Sequence, residues 1–227
     1  MKTSTIEIIR IGIENAEQIT LKMMVQHRSG IPNYTDNPEY WLDEQGNGQN
    51  ALDFALDLPA SFAPDEGYEY SNTNYLLLSR IIEQVTGGSR QEYFKKEILI
   101  PLGLNNTFGS LDDVDLDDVM SGYHVGYPHD LKTNDYGMHA TAEDVGTFLR
   151  ALNDGSLFEP GEKEIYDSVY ENEHSGWVPG YQSFAKYYKD LDVVAIEFYS
   201  TTDPKLYNWN LSEIINKRIR NIIRNKN

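Results

Sequence analysis

The sequence predicts an α+β domain, and three observations carry that prediction. Residues 72–86 hold a long helical pattern closed by Gly87-Gly88. Residues 181–200 hold two runs rich in aromatic and β-branched residues, "YQSFAKYY" and "VVAIEFYS", with "KDLD" between them. Residues 211–223 hold an amphipathic helix, which needs a sheet face to cover.

Taken in order, the first helix is predicted in 20–28, "TLKMMVQHR". Thr20 can cap it, and Leu21, Met24 and Val25 fall at the spacing of one face. Gly30 and Pro32 end it. A loop is expected through "NYTDNPEYWLDEQGNGQ", where Asn33-Tyr34-Thr35 reads only as a glycosylation-type triplet. In 72–86 the expected apolar stripe is Tyr75, Leu78, Ile81, Ile82 and Val85. "SRQE" at Ser89–Glu92 is a capping box for a further helix with Tyr93, Phe94 and Ile98, closed by Pro101. "TAEDVGTFLRALNDG" repeats the logic: Thr141 and Asp144 form the cap, Val145, Phe148, Leu149 and Leu152 the apolar face, and Gly155 the stop. The two aromatic runs predict a β-hairpin. The last helix carries Leu211, Ile214, Ile215, Ile219 and Ile222.

Composition narrows the function. The 227 residues are 40% hydrophobic, enough for one domain with a sizeable core or for two small lobes. Nineteen Lys and Arg against 36 Asp and Glu leave a formal charge of -17, which argues against nucleic acid and against an anionic membrane surface as partners. The absence of cysteine excludes disulfides, thiol catalysis and zinc–thiolate sites. The five aspartates of "LDDVDLDDV" lack the glycine and glutamate of a calcium loop and read as a solvated acidic loop. His27, His124, His129 and His139 show no metal-ligand spacing, and each reads as a surface or capping residue. No metal and no cofactor are expected. The start, "MKTSTIEIIRIGIENAEQ", is interrupted by Glu7 and Arg10 and does not read as a secretory signal. Localisation stays open.

Two places combine polar groups with tight turns: Tyr70-Ser71-Asn72, before the strongest helix, and His174-Ser175-Gly176, before the hairpin. Read alone, the first is a helix cap or an active-site edge. The second is a turn, or a sheet edge where Gly176 lets a ligand approach the backbone.

Four collinear segments carry a resemblance: "ITLKMMVQHRSGIPNYTD", "FAPDEGYEYSNTNYLLLSRIIEQVTGGSRQEYFKKEILIPLGLNNTF", "GMHATAEDVGTFLRALNDG" and "HSGWVPGYQSFAKYYKDLDVVAIEFYS". The chain resembles the serine β-lactamase-related family, which spans class C β-lactamases, D-alanyl-D-alanine carboxypeptidases and related esterases. The resemblance implies a β-lactamase/transpeptidase-like fold, with a helical lobe at about 19–155 and a strand-rich part at about 170–227 in a single domain over 1–227. It implies acyl transfer through a serine ester on β-lactam, D-Ala-D-Ala peptide or ester substrates. Tyr70 and Asn72 fill the family's Tyr-x-Asn motif: the tyrosine moves protons, and the asparagine binds the substrate amide and touches the catalytic lysine. His174, Ser175 and Gly176 fill the Lys-Thr-Gly or His-x-Gly motif on the sheet edge that holds the acyl substrate.

The family's Ser-x-x-Lys is not found on a helix. Ser4 is followed by Glu7, and the one such spacing in the chain is Ser183–Lys186, inside the predicted hairpin. On a strand, residues three apart point to opposite faces, so this pair does not reproduce the helical one. The chain is therefore expected to lack the nucleophile helix and the N-terminal strands, and to be an incomplete or inactive serine hydrolase. The alternative is a non-catalytic homologue that binds a peptidoglycan peptide or a partner. The sheet should then have an open edge, which predicts homo-oligomerisation.

Overall fold

The computed structural model of the chain describes residues 12–42, 51–56, 58–169 and 173–225. Ser4 and Glu7, the stretch read against a secretory signal up to Ile11, and residues 43–50 of the predicted loop lie outside them. The chain divides into two compact units, residues 1–93 with 165–170, and residues 94–164 with 171–227.

In the first unit, helix α1 (Leu21–Val25) starts where expected, with Thr20 Oγ1 accepting the Met23 N–H at 3.2 Å. Of its predicted stripe only Met24 is buried, and Leu21 is exposed. The chain leaves α1 through His27 at φ 54° and Gly30 at φ 73°. A Cβ on Gly30 would stand 2.0 Å from the Phe62 carbonyl oxygen, so only glycine passes there. The predicted loop contains 3-10 turns at Tyr34–Asp36 and Pro38–Leu42. Helix α2 (Ala51–Leu56) was not foreseen. Helix α3 (Asn72–Thr86) has the predicted bounds and ends on left-handed Gly87.

The buried face of α3 differs from the expected stripe. It comprises Thr73, Asn74, Leu77 and Ile81, whereas Tyr75 and Val85 are exposed. The face opens on two polar side chains with fixed partners. Thr73 Oγ1 donates to the Pro32 carbonyl at 2.7 Å, and Asn74 Oδ1 accepts from Ser29 Oγ at 2.7 Å. Hydrogen-bond satisfaction sets the rotation of the helix, and hydropathy alone does not reveal it. Leu77 and Ile81 then reach a core with Ala16, Met24, Ile31 and Leu52.

The Ser89–Glu92 box forms as predicted: Glu92 donates its N–H to Ser89 Oγ at 3.1 Å, and its carboxylate accepts the Ser89 N–H at 3.3 Å. It opens helix α4 (Arg90–Phe94). Pro101 does not close the helical run. A π turn at Lys95–Leu99 leads into α5 (Ile100–Leu102), where the proline occupies a first-turn position that needs no N–H donor.

In the second unit, β1 (Thr107–Phe108) precedes β2 (Tyr123–His124) and β3 (His139–Ala140), which pairs antiparallel with β1. The acidic loop begins as a 3-10 turn at Leu111–Asp113. Helix α6 (Ala142–Asp154) has its predicted cap and its stop at left-handed Gly155. Asp144 does more than cap, since its buried Oδ2 accepts from the Asn106 N–H at 2.8 Å and from Thr107 Oγ1 at 2.9 Å. Short α7 (Glu162–Asp167) spans the boundary between the units in sequence.

The sheet is antiparallel with order β4-β5-β6, formed by β4 (Glu173–Val178), β5 (Tyr181–Tyr188) and β6 (Val193–Tyr199). The predicted hairpin is β5–β6, and β4 adds a strand where the sequence suggested a turn or an edge. A short β7 (Thr201–Thr202) pairs parallel with β2. Helix α6 packs on β5 and β6, and a Cβ on its Gly146 would lie 3.3 Å from Ile196 Cδ1. The even-numbered face of β5 receives the last helix, α8 (Tyr207–Arg224), through Gln182 Nε2 to Ser212 Oγ at 2.6 Å, Tyr188 Oη to Asn216 Oδ1 at 3.0 Å, and Phe184 against Trp209. The expected stripe of α8 thus splits. Polar Ser212 is buried, while Leu211, Ile214 and Ile222 are 55%, 51% and 57% exposed. Gln182 and Tyr188 on the sheet select polar partners on the helix.

Candidate functional site

The candidate residues, with Ser71 between Tyr70 and Asn72, fall in two places, one in each unit. Tyr70, Ser71 and Asn72 lead into α3 in the first unit, and His174, Ser175 and Gly176 lie in β4 of the second.

At the first place, the α3 N-terminus is not capped by its own Ser71, whose hydroxyl donates to the Pro32 carbonyl at 3.2 Å. The cap comes from a distant loop. Asn33 Oδ1 accepts the Asn72 N–H at 3.1 Å and lies 3.3 Å from Asn72 Nδ2. Asn33 is itself buried, and its Nδ2 donates to Asp36 Oδ1 at 3.3 Å. Asn72 is therefore held by its main chain and its side chain together. Tyr70 Oη donates to Asn72 Oδ1 at 3.3 Å, which ties the two motif side chains to each other.

Tyr70 stands among aromatic rings. Its ring centroid lies 4.5 Å from the His27 imidazole at 37°, and 6.1 Å from Tyr75. Burial first, then neighbouring Tyr75 and Tyr68, raise its pKa above the ordinary phenol value. Tyr34 is pushed up to about 12, by burial first and then by Tyr40. At neutral pH both phenols keep their protons, and Tyr70 is a donor in the resting site.

His27 and His124 are buried, which corrects the expectation that they are surface or capping residues. His27 Nδ1 accepts the Ser71 N–H at 3.2 Å, inside the motif itself. His124 Nδ1 contacts Thr202 Oγ1 at 2.8 Å, and its ring meets Trp177 edge-on at 5.7 Å. His129 is exposed, and His139 Nε2 reaches Asp135 at 3.4 Å. Among the described residues no group of three or more His, Cys, Asp or Glu side chains is placed to hold a metal ion.

At the second place, register decides what each residue can present. The two-residue connection Pro179–Gly180 makes Val178 and Tyr181 a hydrogen-bonded pair. Counting back, Gly176 and His174 turn their N–H and C=O groups toward β5, and Ser175 and Trp177 turn theirs toward the other edge of β4. That edge has no strand partner among the described residues. His174 and Gly176 share the face of Ala185 and Ser183, and Ser175 shares the opposite face, that of Phe184. A Cβ on Gly176 would meet Ser183 Oγ at 2.9 Å, a contact that rotation of the serine side chain relieves. Ser175 can thus serve the edge through its main-chain N–H, while its side chain points to the other face from His174.

Ser183 and Lys186 lie on opposite faces of β5, as strand geometry requires. Burial, and then Arg220, lower the Lys186 pKa below the ordinary lysine value. A lowered lysine pKa invites a catalytic reading, but the ammonium lies 5.9 Å from the Tyr188 ring, on the face away from Ser183.

The sequence names Tyr70-Ser71-Asn72 and His174-Ser175-Gly176 but not the residues that contact them. His27, Asn33 and the outward N–H of Trp177 were missed. The signal available was the polar run "QHRSGIPN" between a helix end and a proline, which does not state what its side chains reach.

A sequence profile described as Beta-lactamase matches residues 11–192. Penicillin-binding protein 4* of Bacillus subtilis is 33% identical over 97 residues, covering 39% of this chain and 21% of that protein. Lovastatin esterase of Penicillium rubens is 28% identical over 171 residues, covering 64% of this chain and 43% of that protein. The chain thus spans less than half the length of either relative. A D-amino acid amidase from Ochrobactrum anthropi SV3, solved with L-phenylalanine, superposes with a TM-score of 0.78 at 19% identity, over 95% of this chain and 76% of that one. At that identity the likeness concerns the fold.

Proposed function

Because the chain belongs to the Beta-lactamase family, whose profile spans most of it, we propose that it carries the substrate-holding part of a serine acyl-transfer site. The family acts on small-molecule or peptide substrates, and the fold is β-lactamase/transpeptidase-like. The observation that carries the reading is the locked pair Tyr70–Asn72, with Asn33 holding Asn72 by two contacts. In this reading Asn72 binds the substrate amide, and Tyr70 handles its proton. In the second unit, taken by itself, the outward N–H groups of Ser175 and Trp177 offer a strand edge to which an extended chain can hydrogen-bond.

A second reading is favoured by the strand geometry of Ser183 and Lys186. With these two on opposite faces, the described chain holds no helical serine–lysine pair, and the site binds without forming an ester. Fluorescent penicillin and N-acetyl-D-alanyl-D-alanine separate the two. Reversible dipeptide binding, weakened by Tyr70→Phe and without a covalent penicillin adduct by mass spectrometry, is the expected result for this chain. A stable adduct would refute the non-covalent reading, and an absence of binding would remove both.

The sheet supports self-association as well. Strand β6 has a partner on one side only among the described residues, and α8 presents Tyr207, Leu211, Ile214 and Ile222 to solvent. A homo-oligomer formed through this edge accounts for both.

A further inference from the structure

We infer that His27 is the positioning residue of the Tyr70-Ser71-Asn72 motif, acting as a neutral imidazole that accepts through Nδ1 and presents its ring to Tyr70. The inference rests on the reading of Tyr70 as a site residue and adds what sets that side chain in place.

Four observations converge on His27. His27 is 6% exposed. Its Nδ1 faces two donors at once, the Ser71 N–H at 3.2 Å and the Asn74 amide nitrogen at 3.3 Å. A backbone N–H can only donate, so this nitrogen must be unprotonated. Nε2 then carries the hydrogen and donates it to Tyr75 Oη at 3.4 Å. The third is ring packing: the Tyr70 centroid is 4.5 Å away and tilted by 37°, and Tyr75 and Tyr68 meet the imidazole edge-on at 5.1 and 6.2 Å. The fourth is the main chain, where the Glu69 N–H donates to the His27 carbonyl at 3.1 Å. One residue therefore holds the backbone on both sides of Tyr70, at Glu69 and at Ser71, and packs against the ring between them.

The backbone of His27 is strained in the direction that makes this possible. At φ 54° it lies in the left-handed region, uncommon for residues other than glycine, although histidine enters it more often than most. The turn out of α1 at this φ brings the imidazole onto the motif. The polar partners of Asn74 complete the shell: Ser29 Oγ donates to Asn74 Oδ1 at 2.7 Å, which orients the Asn74 amide toward Nδ1. The geometry makes His27 a positioning residue and not a catalytic one, because its contacts are to the motif.

The test needs no nucleophile. In protein labelled with 15N-histidine, the His27 ring should show the Nε2–H tautomer at neutral pH, with Nδ1 in the shift range of a hydrogen-bond acceptor. A ring protonated on Nδ1 would overturn the inference without any substitution. In protein labelled with 13C-tyrosine, the Tyr70 ring signal is assigned through its loss in Tyr70→Phe. His27→Asn keeps a short acceptor and removes the ring, and His27→Phe keeps the ring and removes the acceptor. In whichever variant retains the wild-type backbone fingerprint elsewhere in the first unit, the Tyr70 signal should move or split into several conformers. An unmoved Tyr70 signal in a folded variant would overturn the inference. Binding of N-acetyl-D-alanyl-D-alanine is recorded alongside. If the wild-type chain does not bind it, the functional reading fails, while the Tyr70 signals still decide the role of His27.

Discussion

Single residues in this chain do their work by holding other residues. Asn33 is an example: its Oδ1 serves the N–H and the amide of Asn72 and lies 3.5 Å from the Thr35 N–H. Asn33→Ala would leave those donors without their acceptor in a buried setting, at a cost of about 1–3 kcal/mol. Urea unfolding should show a lowered midpoint with an unchanged slope, and dipeptide binding should weaken. Asp203 plays a similar part at the start of α8, where its carboxylate accepts the N–H groups of Lys205, Tyr207 and Asn208. The Asn208 N–H is the first cause that holds its pKa below the ordinary carboxylate value. A depressed folded pKa means that this contribution is fully present above the unfolded value of about 3.9 and fades as pH falls through the folded one. Asp203→Asn should therefore melt below wild type at neutral pH, and the gap should close in acid. A gap that persists undiminished at low pH would show that the effect is not ionic.

At the level of elements, most caps were read correctly, the α6 face was read in part, with Leu149 and Leu152 buried as expected, and the faces of α3 and α8 were not. Thr20, Ser89–Glu92, Thr141 and Gly155 cap or stop their helices as the sequence predicts, because capping is a contact between residues close in sequence. The buried faces of α3 and α8 depend on what lies across from them. Leu77, fully buried on α3, falls outside the stripe the pattern suggested, whereas Val85, inside that stripe, is 73% exposed. Leu77→Ala should destabilise the chain by about 2–5 kcal/mol. Val85→Ala should stay within about 0.5 kcal/mol, as surface substitutions do. Thermal or urea unfolding of the two variants side by side checks the assignment, and the reverse order would show that the predicted stripe is the true core face.

For the whole molecule, the formal charge of -17 opposes association, and the open β6 edge with the apolar side of α8 favours it. If the edge forms the interface, Ile214→Lys should abolish concentration-dependent association in light scattering and leave the melting temperature nearly unchanged, since Ile214 is half exposed. Association that survives the substitution would place the interface elsewhere. The α+β class, the β5–β6 hairpin and the helix starts were determined by the sequence alone, because each rests on local spacing. The tertiary structure decided what long-range contacts decide. It turned α3 onto Thr73, Asn74 and Leu77, buried His27 beneath Tyr70, and gave Asn72 its cap from Asn33, 39 residues away. It also made a strand edge of His174-Ser175-Gly176, with the serine side chain on the face away from the histidine. A buried polar group takes its partner from wherever the chain folds to supply one, and no local pattern records where that will be.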